Sequence, residues 1–158
     1  SIYTENYNPG IDFTVDFDVY IDGAPGANWS FLFAIANASG GQPGFGLGIN
    51  STNTWNPAVD GSGSATYTES SFVGRWIHIT ATKSSTEGVA IYQDNVSVFT
   101  KAEGTHSVAQ YSRFVIGNNA ALAKSFDGKI ANFKVFNKVV SEEERTYLYN
   151  HGKSAPSA

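Results

Sequence analysis

Cysteine is absent from this chain, and so is methionine. Without thiols there is no disulfide framework and no thiolate metal site. A cysteine-free β-rich domain suits an oxidising or a reducing compartment equally. Charge is sparse at 15% of residues, with 10 Lys and Arg against 14 Asp and Glu and a net charge of −4. No basic run occurs, which argues against nucleic acid and against an anionic membrane surface as partners. No apolar run approaches the roughly 20 residues that a transmembrane helix needs, which argues against membrane insertion. No signal peptide opens the chain, but it starts at Ser1 and lacks Met, so it reads as a mature or excised piece.

What is present is aromatic: 11 Phe, 8 Tyr and 3 Trp within 158 residues. That length supplies a full core for one domain, and aromatic, charge-poor composition suits β structure. Ile11 to Asp22 alternates, with Ile11, Phe13, Val15, Phe17, Val19 and Ile21 on one face and Asp12, Thr14, Asp16, Asp18, Tyr20 and Asp22 on the other. This period of two predicts a half-buried strand with the first set buried and Asp16 and Asp18 exposed. Residues 29–36 are apolar on both faces and predict a central strand. In residues 44–50, Phe45, Leu47 and Ile49 alternate with Gly44, Gly46 and Gly48, so something must lie close to the glycine backbone. Residues 50–64 are polar and rich in turn formers, and read as a long loop holding Trp55. Further strands are expected at 65–70, 74–83, 108–117 and 129–139. Residues 88–100 predict a hairpin about Asp94-Asn95. Ser141 to Glu144 is a capping box, and a single helix is expected from Ser141 to about His151. Many short strands with close turn signals give an all-β fold, a two-sheet antiparallel β-sandwich of the jelly-roll kind with one short C-terminal helix.

Several pieces recur in a telling order: Trp76/His78/Ile79/Thr82, then Tyr92-Gln93-Asp94-Asn95, then Ile116-Gly117, then Phe126/Gly128/Ile130/Phe133/Val135/Phe136, then Ser141 to Glu144. The series resembles the laminin-G-like (LamG) branch of the concanavalin A-like lectin/glucanase superfamily. The resemblance covers roughly the last 85 residues well and the first 70 loosely. It implies one concanavalin A-like β-sandwich over residues 1–152, with 153–158 as a C-terminal tail or linker. It implies that the first and last long strands are neighbours, so that Asp16 and Asp18 face Lys134 and Lys138. It also implies that His78 packs and hydrogen-bonds beside Trp76. Its glucanase members carry E-x-D-x-E on one strand; that motif is missing here, so no catalytic residue is assigned and an enzyme is disfavoured.

Other chemistries find little support. The histidines His78, His106 and His151 show no zinc spacing, and no G-x-S-x-G elbow occurs. Sequons at Asn28, Asn37, Asn50 and Asn95 are expected by chance in so Asn-, Ser- and Thr-rich a chain. Sugar recognition needs an aromatic face for the C–H side of a pyranose, with amides and carboxylates for its hydroxyls. Asn50, Asn53, Trp55, Asn56, Asp60 and Tyr67 offer that set. The competing reading folds Trp55 onto the core as a lid and uses the asparagines for turns. The resemblance also implies a calcium at the sheet rim, for which Asp60, Asn118 and Asn119 are the candidate ligands. The expectation is a non-catalytic, lectin-like carbohydrate-binding module of a larger secreted, cell-surface or virion protein, with a glycan or polysaccharide as partner. The alternative is an adhesion or decoration module that binds a protein surface.

Overall fold

The computed structural model describes residues 2–5, 7–23, 30–36, 44–59, 62–63, 66–67, 71–102, 113–119, 122–123 and 125–151. In chain order the strands are β1 (Ile2–Glu5), β2 (Phe13–Ile21), β3 (Ser30–Ala36), β4 (Phe45–Ser51), β5 (Thr54–Val59), β6 (Ser62–Gly63), β7 (Thr66–Tyr67), β8 (Trp76–Ser84), β9 (Gly88–Gln93), β10 (Val96–Lys101), β11 (Arg113–Ile116) and β12 (Gly128–Phe136); one helix, α1 (Glu142–His151), follows. Their ladders form two antiparallel sheets, each at the centre of its own compact unit. The all-β, two-sheet sandwich class with one C-terminal helix, expected from the pattern, is the class observed.

The first unit holds a seven-stranded sheet in the order β1-β11-β3-β4-β5-β6, with β7 also pairing with β5. β3 is buried along its whole length, as a strand apolar on both faces should be. A Cβ added at Gly48 would lie 2.8 Å from the Ser30 carbonyl oxygen. The glycine backbone is therefore approached by the adjoining strand, as the Gly-rich pattern required.

β5 departs from expectation. The stretch read as a polar loop contains a strand, and all six of its residues are buried. Trp55, Pro57 and Val59 alternate within it, a period-two signal hidden by the surrounding asparagines and by the proline. β7 pairs with Thr54 and Trp55, and β6 pairs with Ala58 and Val59. Pro57, which has no N–H to give a ladder, falls between these two short pairings rather than within either.

The second unit holds a five-stranded sheet in the order β10-β9-β8-β2-β12. The first and last long strands are neighbours, as the resemblance implied. Phe13, Val15, Phe17, Val19 and Ile21 are fully buried. Two expectations fail. Ile11 is 58% exposed because β2 begins only at Phe13, and Asp16 and Asp18 are buried at 0% and 3% exposure. The two carboxylates lie among the side chains they pair with, His78, Thr80, Asn132 and Lys134, and α1 lies over the same polar face. Tyr149 meets the His78 ring edge to face at 5.7 Å, and the Arg145 guanidinium sits 3.7 Å above the Tyr92 ring. The chain leading into α1 is pinned there as well. The Val140 N–H donates to Thr14 Oγ1 at 3.0 Å, and that hydroxyl donates to the Lys138 carbonyl at 2.8 Å.

Local signals did set the ends of these elements. Asp94 and Asn95 have φ of 49° and 65°, the left-handed pair a tight hairpin needs. The Glu144 N–H donates to Ser141 Oγ at 3.1 Å while the Ser141 N–H donates to Glu144 Oε1 at 3.2 Å, closing the capping box. β12 carries a bulge between Ala131 and Lys134 that no sequence cue announced. Asn132 takes φ 54° within it, a conformation asparagine accepts more readily than most residues.

Candidate functional site

The polar face of the five-stranded sheet carries the chemistry of the second unit. At its centre His78 lies between two carboxylates, with Nδ1 2.9 Å from Asp18 Oδ1 and Nε2 2.9 Å from Asp16 Oδ2. A neutral imidazole donates from only one nitrogen, so two carboxylate partners select the doubly protonated ring. Burial alone would lower the His78 pKa; the hydrogen bonds and charges of Asp16 and Asp18 outweigh it and raise it to about 9. Thr80 Oγ1 donates to Asp16 Oδ2 and Asn132 Nδ2 to Asp18 Oδ2, each at 2.8 Å. Lys134 Nζ stands 3.7 Å from Asp16 Oδ1, the cross-strand pairing expected of that lysine. Lys138 instead pairs with Glu144 at 2.6 Å. His78, Asp16, Asp18 and Thr80 are buried, and only the outer partners Asn132 and Lys134 reach solvent. The cluster fastens sheet and helix together and presents nothing to a ligand.

Beside it the same face opens into a trough. The ladders place Thr82 opposite Ala90, and Ala90 opposite Thr100. The smallest side chain thus falls in the middle of the row and leaves a depression. Ser141, Glu142 and Arg145 of the helix start form one wall, and Tyr92 and Lys101 complete a hollow of about 670 Å³. That is the size of sites for small organic ligands. Arg145 is fixed over Tyr92 by a 2.7 Å hydrogen bond from its Nε to Asn95 Oδ1, while Asn95 Nδ2 donates to Thr146 Oγ1 at 3.1 Å. The lining combines an aromatic ring, hydroxyls, amphoteric backbone and both signs of charge. Sequence reasoning missed this site, because its residues come from segments up to about sixty positions apart. The one signal available was that Thr82, Ala90 and Tyr92 sit on faces that the alternation pattern leaves polar or small.

The predicted sugar-binding set is placed differently. Asn50 is exposed at the end of β4, and Asn53 is half-buried in the following turn, held with Ser51 and Thr54. Trp55 is fully buried and stacks on Phe72 with ring centroids 4.3 Å apart. This corrects the platform reading: both faces of the indole are in the core, and the lid reading is the one the structure has. Asn56 is buried beside it. Asp60 and the side chain of Tyr67 lie outside the described residues. Of the calcium candidates, Asp60 is thus not described. Asn118 Oδ1 accepts the Asn119 N–H at 2.9 Å, and Asn119 Oδ1 accepts the Ala123 N–H at 2.8 Å, so both amide oxygens serve their own turn. Among the described residues no group of three or more acidic, histidine or cysteine side chains is gathered to hold a metal. Nor is any described helix long and apolar enough to cross a membrane.

Two antiparallel sheets with β2 beside β12, a hairpin at Asp94-Asn95 and a capped helix closing the polar face define a concanavalin A-like domain. The chain belongs to the laminin G family of the concanavalin A-like lectin/glucanases superfamily, whose model matches residues 2–144. No curated protein sequence matches it. Among solved structures it resembles a Trypanosoma rangeli sialidase at 22% identity and TM-score 0.71, covering 90% of this chain and 23% of the sialidase. It also resembles a heptameric SAP-like pentraxin of Limulus polyphemus at 16% identity and TM-score 0.69, covering 89% of this chain and 70% of the pentraxin. A third is botulinum neurotoxin type C, whose cell entry depends on two ganglioside molecules, at 16% identity and TM-score 0.60, covering 88% of this chain and 35% of the toxin. At these identities the likeness is one of fold, and that fold serves an enzyme, a pentraxin and a toxin alike.

Proposed function

We propose that this chain is a non-catalytic, lectin-like carbohydrate-binding module, spanning residues 1–152 of a larger secreted, cell-surface or virion protein, with 153–158 as a tail or linker. The observation that carries the reading is the trough on the polar face of the five-stranded sheet. It combines the Tyr92 ring, one face of which lies under the Arg145 guanidinium, with the hydroxyls of Thr82, Ser84 and Thr100 and charged groups of both signs. A sugar needs such a mixture of donors, acceptors and aromatic surface. The glycan-linked fold neighbours add support: one is solved with sialic acid, and another enters cells through gangliosides. Glu87 and Glu142 both line the trough, so a carboxylate pair exists there that the sequence did not announce. Both are exposed, however, whereas the general acid of a glycoside hydrolase sits in a desolvated setting.

A glycan array followed by calorimetric titration tests the reading. Thr100 is exposed on the edge strand β10, so Thr100→Arg fills the trough while sparing the core. We expect binding to at least one glycan class, a tenfold or greater loss in Thr100→Arg, and no release of reducing sugar. Melting curves with calcium and with chelator test a rim calcium at Asp60, Asn118 and Asn119, since an ion bound only by the native state raises the melting temperature. An empty array sinks the proposal, as does glycan binding untouched by Thr100→Arg. Turnover abolished by Glu142→Gln would replace it with an enzyme.

A further inference from the structure

A second hollow, of about 560 Å³, adjoins the first. The two share Ser84, Glu87, Val139, Val140 and Ser141, so they are parts of one trough running past the start of α1. The far part adds Asp12, Thr86, Asn137 and Lys138. Its walls are held in place before any ligand arrives. Ser84 Oγ accepts the N–H groups of Thr86 and Glu87 at 3.2 and 3.0 Å. Asp12 Oδ1 accepts the Ser85 N–H at 2.6 Å, a bond that holds the Asp12 carboxyl below its ordinary pKa. Preorganised walls spare a ligand the cost of ordering them. Charge along the trough is balanced, with Lys101, Lys138 and Arg145 against Asp12, Glu87 and Glu142. No single-sign field is present to recruit a polyanion.

Resting on the carbohydrate-binding reading above, we propose that the trough takes an internal stretch of an uncharged linear polysaccharide, several sugars long, rather than a terminal or acidic monosaccharide. One hollow alone would suit a chain end. Two joined hollows reward a ligand that continues from the Tyr92 part into the Asn137 part. An uncharged chain meets hydroxyls and both signs of charge along the whole path and leaves no charge unpaired.

The experiment is a titration with cello-, xylo- and manno-oligosaccharides of one to six units, together with sialylated and sulfated glycans, at low and high salt. Affinity for one neutral series is expected to rise tenfold or more from one unit to four and then level off, with little salt dependence. Asn137 is exposed in the far part, and Asn137→Arg should collapse the ratio of tetramer to dimer affinity. Affinity independent of chain length, a preference for sialylated or sulfated ligands, or an unchanged ratio in Asn137→Arg overturns this inference while leaving the carbohydrate-binding reading standing. Absence of binding on every arm removes both.

Discussion

At the scale of single residues, His78 is the side chain whose role changes most between sequence and structure. Its place in a W-x-H pattern suggested packing and hydrogen bonding beside Trp76; its surroundings make it a buried cation between Asp16 and Asp18. Its folded pKa of about 9 lies above the ordinary 6.5, so its stabilisation is fully present below about pH 6.5 and is lost as pH rises through about 9. The gap corresponds to on the order of 3 kcal/mol. Urea unfolding at pH 6.5 and at pH 9.5 should show a fall of that order in the wild type, and His78→Gln should flatten it. A wild-type profile that is level over this window would refute the charged cluster. Trp55 makes the second residue-scale prediction. With its ring buried on Phe72, Trp55→Ala should cost about 3–5 kcal/mol of folding stability through cavity formation. Below the melting temperature the same variant should retain glycan affinity. A small stability loss joined to a large binding loss would return the site to Trp55.

Elements show how far local pattern reaches. β2, β3, β4, β8, the β9–β10 hairpin and α1 were legible because period-two alternation, left-handed turn residues and a capping box act within a few positions. The boundaries moved by a residue or two, as at Ile11. β5 was not legible, because asparagines and a proline mark turns unless neighbouring strands claim them. The bulge in β12 was invisible as well, although it delivers Asn132 to Asp18. β4 offers a test at this scale. Its close approach to β3 leaves no room for a methyl group at Gly48, and the atom in the way is backbone oxygen rather than a flexible side chain. Gly48→Ala should cost about 1–3 kcal/mol, read as a lowered denaturation midpoint with an unchanged slope. A neutral outcome would mean that β3 and β4 slide apart freely.

For the whole molecule, a LamG-type fold brings its own division of labour. The proposed binding surface belongs to one unit, on the sheet that α1 partly covers. Where α1 rests on that sheet, through Tyr149 on His78, the ring and its partners Asp16 and Asp18 are buried and structural. Where Ala90 leaves the sheet low beside the helix start, the same face becomes a trough. The position of one short helix therefore helps decide which polar residues are cement and which are available to a ligand.

The sequence by itself determined the β-sheet class, the family and the C-terminal helix, since these follow from alternation, capping and an ordered series of motifs. Only the tertiary structure decided that Asp16 and Asp18 are buried, that Trp55 is spent on Phe72, and that Thr82, Tyr92, Thr100 and Arg145 share one trough. The physical reason is separation along the chain. Asp18 and Tyr149 both meet His78, and Thr82 faces the wall that begins at Ser141, through contacts that no local period encodes. Burial and cavities are properties of what folds over a residue, and here Asn132 and Lys134 on β12 come more than a hundred residues after the carboxylates of β2 that they pair with.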